Sequence, residues 1–241
     1  MMVPAIRSPP MTGAGNVEAV IDSSKVRLHF TSMEELDDTA ERILAAASAR
    51  FMHYGYRKTT MSEIADDCNM SPGNLYRYFA AKLDIAEAFG NRVRLDQFNR
   101  LKEIVEQTDL APAAKLRAFL QLELELVYER VHAKPKTYEL SRSLFEERPE
   151  FAAKWKRAEA DLLRSILEEG AARCVFGVGD DLDQLAHTIQ TATTQFATTH
   201  LAYLGEIEEL RRDLDQVVDL ILDGLAWRAH QARAARGDRA V

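Results

Sequence analysis

The chain has 241 residues, of which 46% are hydrophobic and 29% charged; it can bury a full core and is not an intrinsically disordered polymer. A formal net charge of −7 excludes a nonspecific nucleic-acid coat, and two cysteines without paired spacing, Cys68 and Cys174, exclude a disulfide framework. The first 16 residues hold no continuous apolar segment, and the uncharged run 185–205 is interrupted by His, Thr and Gln, so a reduced cytoplasmic protein without a membrane span is expected.

Residues 1–32 mix Pro, Gly and Ser without periodicity and read as a flexible N-terminal arm. Inside it K-V-R-L-H-F, from Lys25 to Phe30, alternates basic with apolar. Two readings stay open: a linker packed beside the first helix, or an extension that lays Lys25 and Arg27 in a DNA minor groove. Ser32 and Glu35 can cap a helix, and Met33, Leu36, Ala40, Ile43, Ala47 and Phe51 continue one stripe. The first helix is therefore expected over 33–54, stopped by Gly55.

Two short helices joined by a tight turn follow. Thr60 and Glu63 form a T-x-x-E capping box that starts a helix over 62–68. Asn69 tolerates the left-handed conformation that the turn needs. Ser71 is a good N-cap, Pro72 fits the first helical position, and the second helix should run to about Phe79. Ile64, Ala65, Met70, Leu75 and Phe79 take the packing positions, which leaves Gly73, Asn74, Tyr76, Arg77 and Tyr78 for an outer, DNA-reading surface. Gly73 holds nothing away from DNA, Asn74 offers a donor and an acceptor to base edges, and Tyr76 offers a hydroxyl to phosphate.

The stretch from Asp38 to Phe89, containing I-L-A-A-A-S-A-R-F-M-H-Y-G-Y, T-T-M-S-E-I-A and N-L-Y-R-Y-F-A-A-K, resembles the DNA-binding domain of TetR-family transcriptional regulators. The resemblance implies an all-α fold: a helix-turn-helix DNA-binding domain at 33–81, then a helical ligand-binding and dimerisation domain at 82–236. It implies a homodimeric repressor that leaves a near-palindromic double-stranded DNA operator when a small lipophilic inducer binds, with efflux or catabolic genes as expected targets. The alternative is a DNA-bound scaffold whose C-terminal domain recruits a protein partner. Matching positions place Thr59, Thr60 and Lys82 at phosphate, Gly73 and Asn74 at bases, and Tyr76 and Tyr78 at backbone or base edges. Lys58, Ser71, Pro72 and Arg77 complete the expected DNA surface. The chain departs from the family pattern in the turn, where C-N-M-S stands at 68–71, and at Ala80-Ala81 before Lys82.

Charge is unevenly placed. Between Thr39 and Ile85, six basic residues (Arg42, Arg50, Arg57, Lys58, Arg77, Lys82) face five acidic ones (Glu41, Glu63, Asp66, Asp67, Asp84), a balance of +1, so the remainder carries −8. DNA binding by such a chain should depend strongly on salt.

Beyond Lys82 helices are expected near 82–107, 113–133, 136–147, 149–173, 181–204 and 206–234, with breaks at Pro112, Pro135, Pro149, 177–179 and Gly205. The helix over 181–204 has one arc of Leu182, Leu185, Ile189 and Phe196 and a second, uncharged arc of His187, Thr191, Thr194 and Thr198. In the last helix Ile207, Leu210, Leu214, Val217, Val218, Ile221 and Leu225 form a seam that must be buried. Together these two helices read as one half of a four-helix dimer interface, with Thr191, Thr194, Thr198, Leu210, Leu214, Val217 and Ile221 as its residues.

No G-x-S-x-G, phosphate-cradling glycine loop, H-E-x-x-H or C-x-x-C occurs, and His187 and His200 fall on different helix faces. Neither enzyme, cofactor nor metal is expected. Near 116–131, Leu116, Phe119, Leu120, Leu122, Leu124, Leu126 and Val127 define an apolar arc with Glu123 near its centre. Glu123 either lines an inducer pocket for a cationic or hydrogen-bonding lipophilic ligand, walled by Phe119, Tyr138, Phe145, Trp155 and His200, or pairs internally with Arg130 two turns on.

Overall fold

The computed structural model describes residues 38–132, 135–197 and 205–237, and every regular element among them is helical. The expected helix start at 33 and the alternating stretch 25–30 lie outside the described residues. Helix α1, Asp38–Tyr54, buries Ala40, Ile43, Ala47 and Phe51 of the anticipated stripe and adds Leu44, while Met33 and Leu36 lie outside the described residues. It stops at Gly55, whose φ of +93° suits glycine.

Helix α2 (Met61–Asp67) packs against α1 and against α3 (Pro72–Leu75). Phe51, Ile64, Leu75 and Phe79 close a small core that also takes in Ile85 and Ala86 from α4, Lys82–Glu106. The second reading helix is shorter than expected. Regular α-turns end at Leu75, and the Arg77 and Tyr78 amides bond three residues back, to Asn74 and Leu75, so the chain tightens before Phe79 is packed.

A larger core fills the rest of the molecule. Helix α5 (Pro112–His132) lies at its centre, against α4, α6 (Pro135–Glu147), α7 (Pro149–Ala172) and α9 (Ile207–Gly237). Leu116, Phe119, Leu120 and Leu124 of α5 are fully enclosed. The Lys115 ammonium, also enclosed, reaches Glu169 Oε2 at 2.7 Å and the Val105 carbonyl at 2.8 Å, tying α5 to α7 and to the end of α4.

Two elements of the smaller core also belong to the larger one. Helix α4 gives Ile85 and Ala86 to the first and Phe98, Leu101 and Val105 to the second; α6 gives Leu140 to the first and Leu144 to the second. Arg148, just before α7, pairs with Asp84 and Glu87 in the first turns of α4.

The helix expected over 181–204 is not continuous. Helix α8 runs Leu182–Ala192 and gives way to a 3₁₀ turn, Thr194–Phe196; residues 198–204 lie outside the described residues. Hydroxyls of Thr188, Thr191, Thr193 and Thr194 each bond the carbonyl four residues back, a habit that loosens a helix, and β-branching adds to it.

The seam of α9 also needs correcting. Leu210 and Leu214 are enclosed by their own subunit's core, with Val217 and Ile221 packed against it, so the stripe assigned to a dimer interface is spent within the chain. The opposite face carries Leu220 and Trp227, 74% and 62% exposed.

Candidate nucleic-acid interface and internal cavity

The helix-turn-helix is built by local hydrogen bonds. Thr60 Oγ1 accepts the Glu63 amide at 3.3 Å while Glu63 Oε2 accepts the Thr60 amide at 2.8 Å. Those bonds from Thr60, aided by Arg50, hold the Glu63 carboxyl below its usual range. Asn69 adopts φ +54°, and the Met70 amide turns back to the Ala65 carbonyl at 3.0 Å. Ser71 Oγ then accepts the Asn74 amide at 3.3 Å, with Pro72 next to open α3.

This places most of the expected DNA surface outward. Lys58, Thr60, Ser71, Pro72, Gly73, Tyr76, Arg77 and Tyr78 are exposed and Asn74 is half-buried. Two positions differ. Thr59 is 1% exposed and its hydroxyl donates to the Gly55 carbonyl at 3.0 Å, so it has no free group for phosphate. Lys82 turns inward: its ammonium donates to the Tyr56 and Thr59 carbonyls at 2.8 and 2.7 Å and lies 4.4 Å over the Tyr56 ring. An ammonium has three N–H bonds, so one is left for phosphate, and burial lowers its pKa.

A cavity of about 270 Å³ lies in the body, bounded by α4, α5, α6, α7, α8 and the 3₁₀ turn. Phe145, Phe151 and Trp155 form its apolar wall; Gln190, Thr193 and Thr194 face them. Arg94 and Glu159 form an ion pair on one side.

Glu123 lines this space, and the accessible surface it keeps opens into the cavity. Among the described residues no side chain lies within hydrogen-bonding distance of its carboxylate. Burial, and next the Glu159 charge, push its pKa well above the ordinary value, against the pull of Arg94. The pairing with Arg130 is not made. Seven residues along a helix is about 10.5 Å, and Arg130 instead donates to Gln97 Oε1 at 2.7 Å. Burial lowers the Arg130 pKa to about 10, helped by neighbouring Arg94.

Of the other expected walls, Phe145 and Trp155 line the cavity and Phe119 and Tyr138 do not. Phe119 is consumed by the core, and Tyr138 packs at that core's edge. His200 and Thr198 lie outside the described residues. Thr194, assigned to the dimer interface, lines the cavity; Thr191 is exposed on α8. Among the described residues, no group of His, Cys, Asp or Glu could hold a metal ion, and no helix is long and apolar enough to cross a membrane.

Two family models match the chain: bacterial regulatory proteins of the tetR family at residues 43–89, and the C-terminal domain of tetracyclin repressor-like proteins at residues 112–218. Together they cover more than half of it. The chain belongs to the TetR family.

Among curated relatives of this TetR-family protein, the HTH-type transcriptional repressor KstR2 of Mycobacterium tuberculosis is 27% identical over 137 residues, 54% of this chain and 68% of that one. KstR2 of Mycolicibacterium smegmatis is 25% identical over 155 residues, 64% of this chain and 75% of that one. Among solved structures, a transcriptional regulator from Cytophaga hutchinsonii matches with TM-score 0.56 at 26% identity, covering 77% of this chain and 97% of that one. A TetR/AcrR-family regulator from Thermobifida fusca matches with TM-score 0.59 at 21% identity, covering 78% and 98%. The TetR-family chain is thus a DNA-binding transcriptional regulator and not an enzyme.

Sequence reasoning missed Arg94, Gln97, Phe151, Lys156, Glu159, Gln190 and Thr193 in this TetR-family body. Phe151 and Glu159 stand one helical turn on either side of Trp155, so its choice could have brought them in. Arg94 and Gln97 come from α4, far along the chain, and carry no local sign.

Proposed function

We propose that this regulator is a repressor that binds a near-palindromic operator as a homodimer and lets go when a small lipophilic molecule occupies the cavity beneath Trp155. The observation that carries this reading is the cavity itself: apolar walls around a buried carboxyl that has no described partner, reached by helices that also build the DNA-binding head. Both KstR2 relatives are named repressors, which supports the sign of regulation.

The proposed mechanism is a shift of population between two conformations. Helix α6 carries Phe145 at the cavity and Leu140 in the head's core; α4 carries Arg94 at the cavity and Lys82 clamped on the head. A ligand that prefers one arrangement of these helices changes the spacing of two heads across a dimer. A concave, largely apolar cavity of this size favours this reading over a protein-recruiting scaffold.

The test is fluorescence anisotropy on DNA from upstream of the protein's own gene, in a salt series, with Tyr76→Ala as control. Binding tighter than to random DNA, weakened roughly tenfold or more in the variant and reversed by a ligand that fits the cavity, supports the proposal. Equal weak binding to both DNAs, or a ligand bound without any effect on the operator complex, would sink it.

A further inference from the structure

The cavity's lining places the cations Arg94, Arg130 and Lys156 beside two carboxyls, Glu123 and Glu159. Arg94 pairs with Glu159, whose charge Arg130 also feels, but Arg130, 7% exposed, has the Gln97 oxygen as its acceptor and forms no ion pair with a described residue. A guanidinium carries five N–H bonds. Arg130 lines this cavity, a smaller space that shares Arg94, Phe145 and Phe151 as walls, and an outer cleft that holds Asp96 and Glu129. A second cation, Lys156, stands exposed at the rim.

A buried cation without its own counter-charge is unfavourable, so this lining favours an anion. Glu123 is a weak source of it, because burial and the Glu159 charge both raise its pKa. A cationic ligand, the sequence-based expectation for Glu123, would face Arg94, Arg130 and Lys156 instead.

We infer that the cavity takes an anionic amphiphile, an apolar body bearing one carboxylate, anchored by the Arg130 guanidinium. Phe145, Phe151 and Trp155 enclose the apolar part, and the planar fork of Arg130 fits a carboxylate through two parallel N–H bonds. The inference rests on the reading of this cavity as an effector site and adds the ligand's charge to it.

The experiment uses the full chain with Trp227→Phe, so that Trp155 is the remaining one of two tryptophans. Decanoate, decanol and decylammonium, which share a chain and differ in charge, are titrated against Trp155 emission. Decanoate is expected to bind roughly thirtyfold or more tightly than decanol, and decylammonium more weakly than either. Arg130→Gln should bring decanoate to the level of decanol and leave decanol unchanged. If Arg130→Gln fails to fold in a thermal melt, Arg130→Lys replaces it and should keep a reduced preference for decanoate. Equal affinity for decanoate and decanol, preference for decylammonium, or an Arg130 variant with the parent's affinities overturns the charge assignment alone. If none of the three alters Trp155 emission or raises the melting temperature, the effector-site reading fails with it.

Discussion

Gly73 and Glu123 are single residues whose roles the surrounding geometry separates from folding. A Cβ at Gly73 would meet nothing within 4 Å, so the folded protein alone gives no reason for glycine there. Glycine in a helix costs about 0.5–1 kcal/mol relative to alanine. Gly73→Ala should therefore leave the melting temperature unchanged or slightly raised while weakening operator binding, if bases approach the backbone at this point. Thermal unfolding and anisotropy on one preparation check both halves, and unchanged affinity would remove Gly73 from the interface. Glu123 bears on pH. Its pKa is raised in the folded state, so the native protein holds a proton that the unfolded chain releases, and stability is lost as pH rises above about 4.5 toward the folded value. Glu123→Gln has no proton to lose. Melting temperatures from pH 5 to pH 8 should fall more steeply for the parent than for the variant; parallel curves would contradict the buried, protonated carboxyl.

Lys82 acts at the scale of elements, as the first residue of α4 and a clamp on the loop between α1 and α2. Hydrogen bonds from a charged donor contribute about 1.5–3 kcal/mol in sheltered sites, and partial exposure reduces that here to about 1 kcal/mol. Lys82→Met should lower the melting temperature by a few degrees. It should also raise amide exchange over 55–60 more than over α5, a pattern that hydrogen-exchange mass spectrometry resolves. Uniform exchange would mean that the lysine is not what holds this loop to α4. The helix starts around it were legible because caps act over three residues: Thr60 closes with Glu63 as read, and Ser71, read as an N-cap, accepts the Asn74 amide. The end of α8 was not, because Thr191 and Thr194, which suggested a close interface, bond back to their own helix, a habit that loosens it.

The unpartnered apolar face is a property of the whole molecule. Leu220, Gly224 and Trp227 follow one another at helical spacing on the outer side of α9, and no described residue comes within 4 Å of a Cβ at Gly224. Large exposed apolar groups in a row mark an association surface. We expect sedimentation velocity to show a dimer for the parent and a monomer for Leu220→Asp. In the proposed dimer two heads bind the operator together, so the monomer should lose roughly a hundredfold or more in operator affinity. A variant that remains dimeric would move the interface elsewhere.

By itself the sequence determined the all-helical architecture, the caps and the sharp turn at Asn69, and the outward position of Tyr76, Arg77 and Tyr78, because each follows from bonds or periodicities spanning a few residues. Helical periodicity says that a stripe such as Leu210 to Leu225 is buried, but not what buries it, so the tertiary structure alone turned that stripe inward and left Leu220 and Trp227 outside. The partners of buried charges were decided the same way. Arg130 sits on the same helix as Glu123, yet its guanidinium meets Gln97 of α4, and Arg94 meets Glu159 across 65 residues, because charge pairing follows distance in space and helix packing sets that distance.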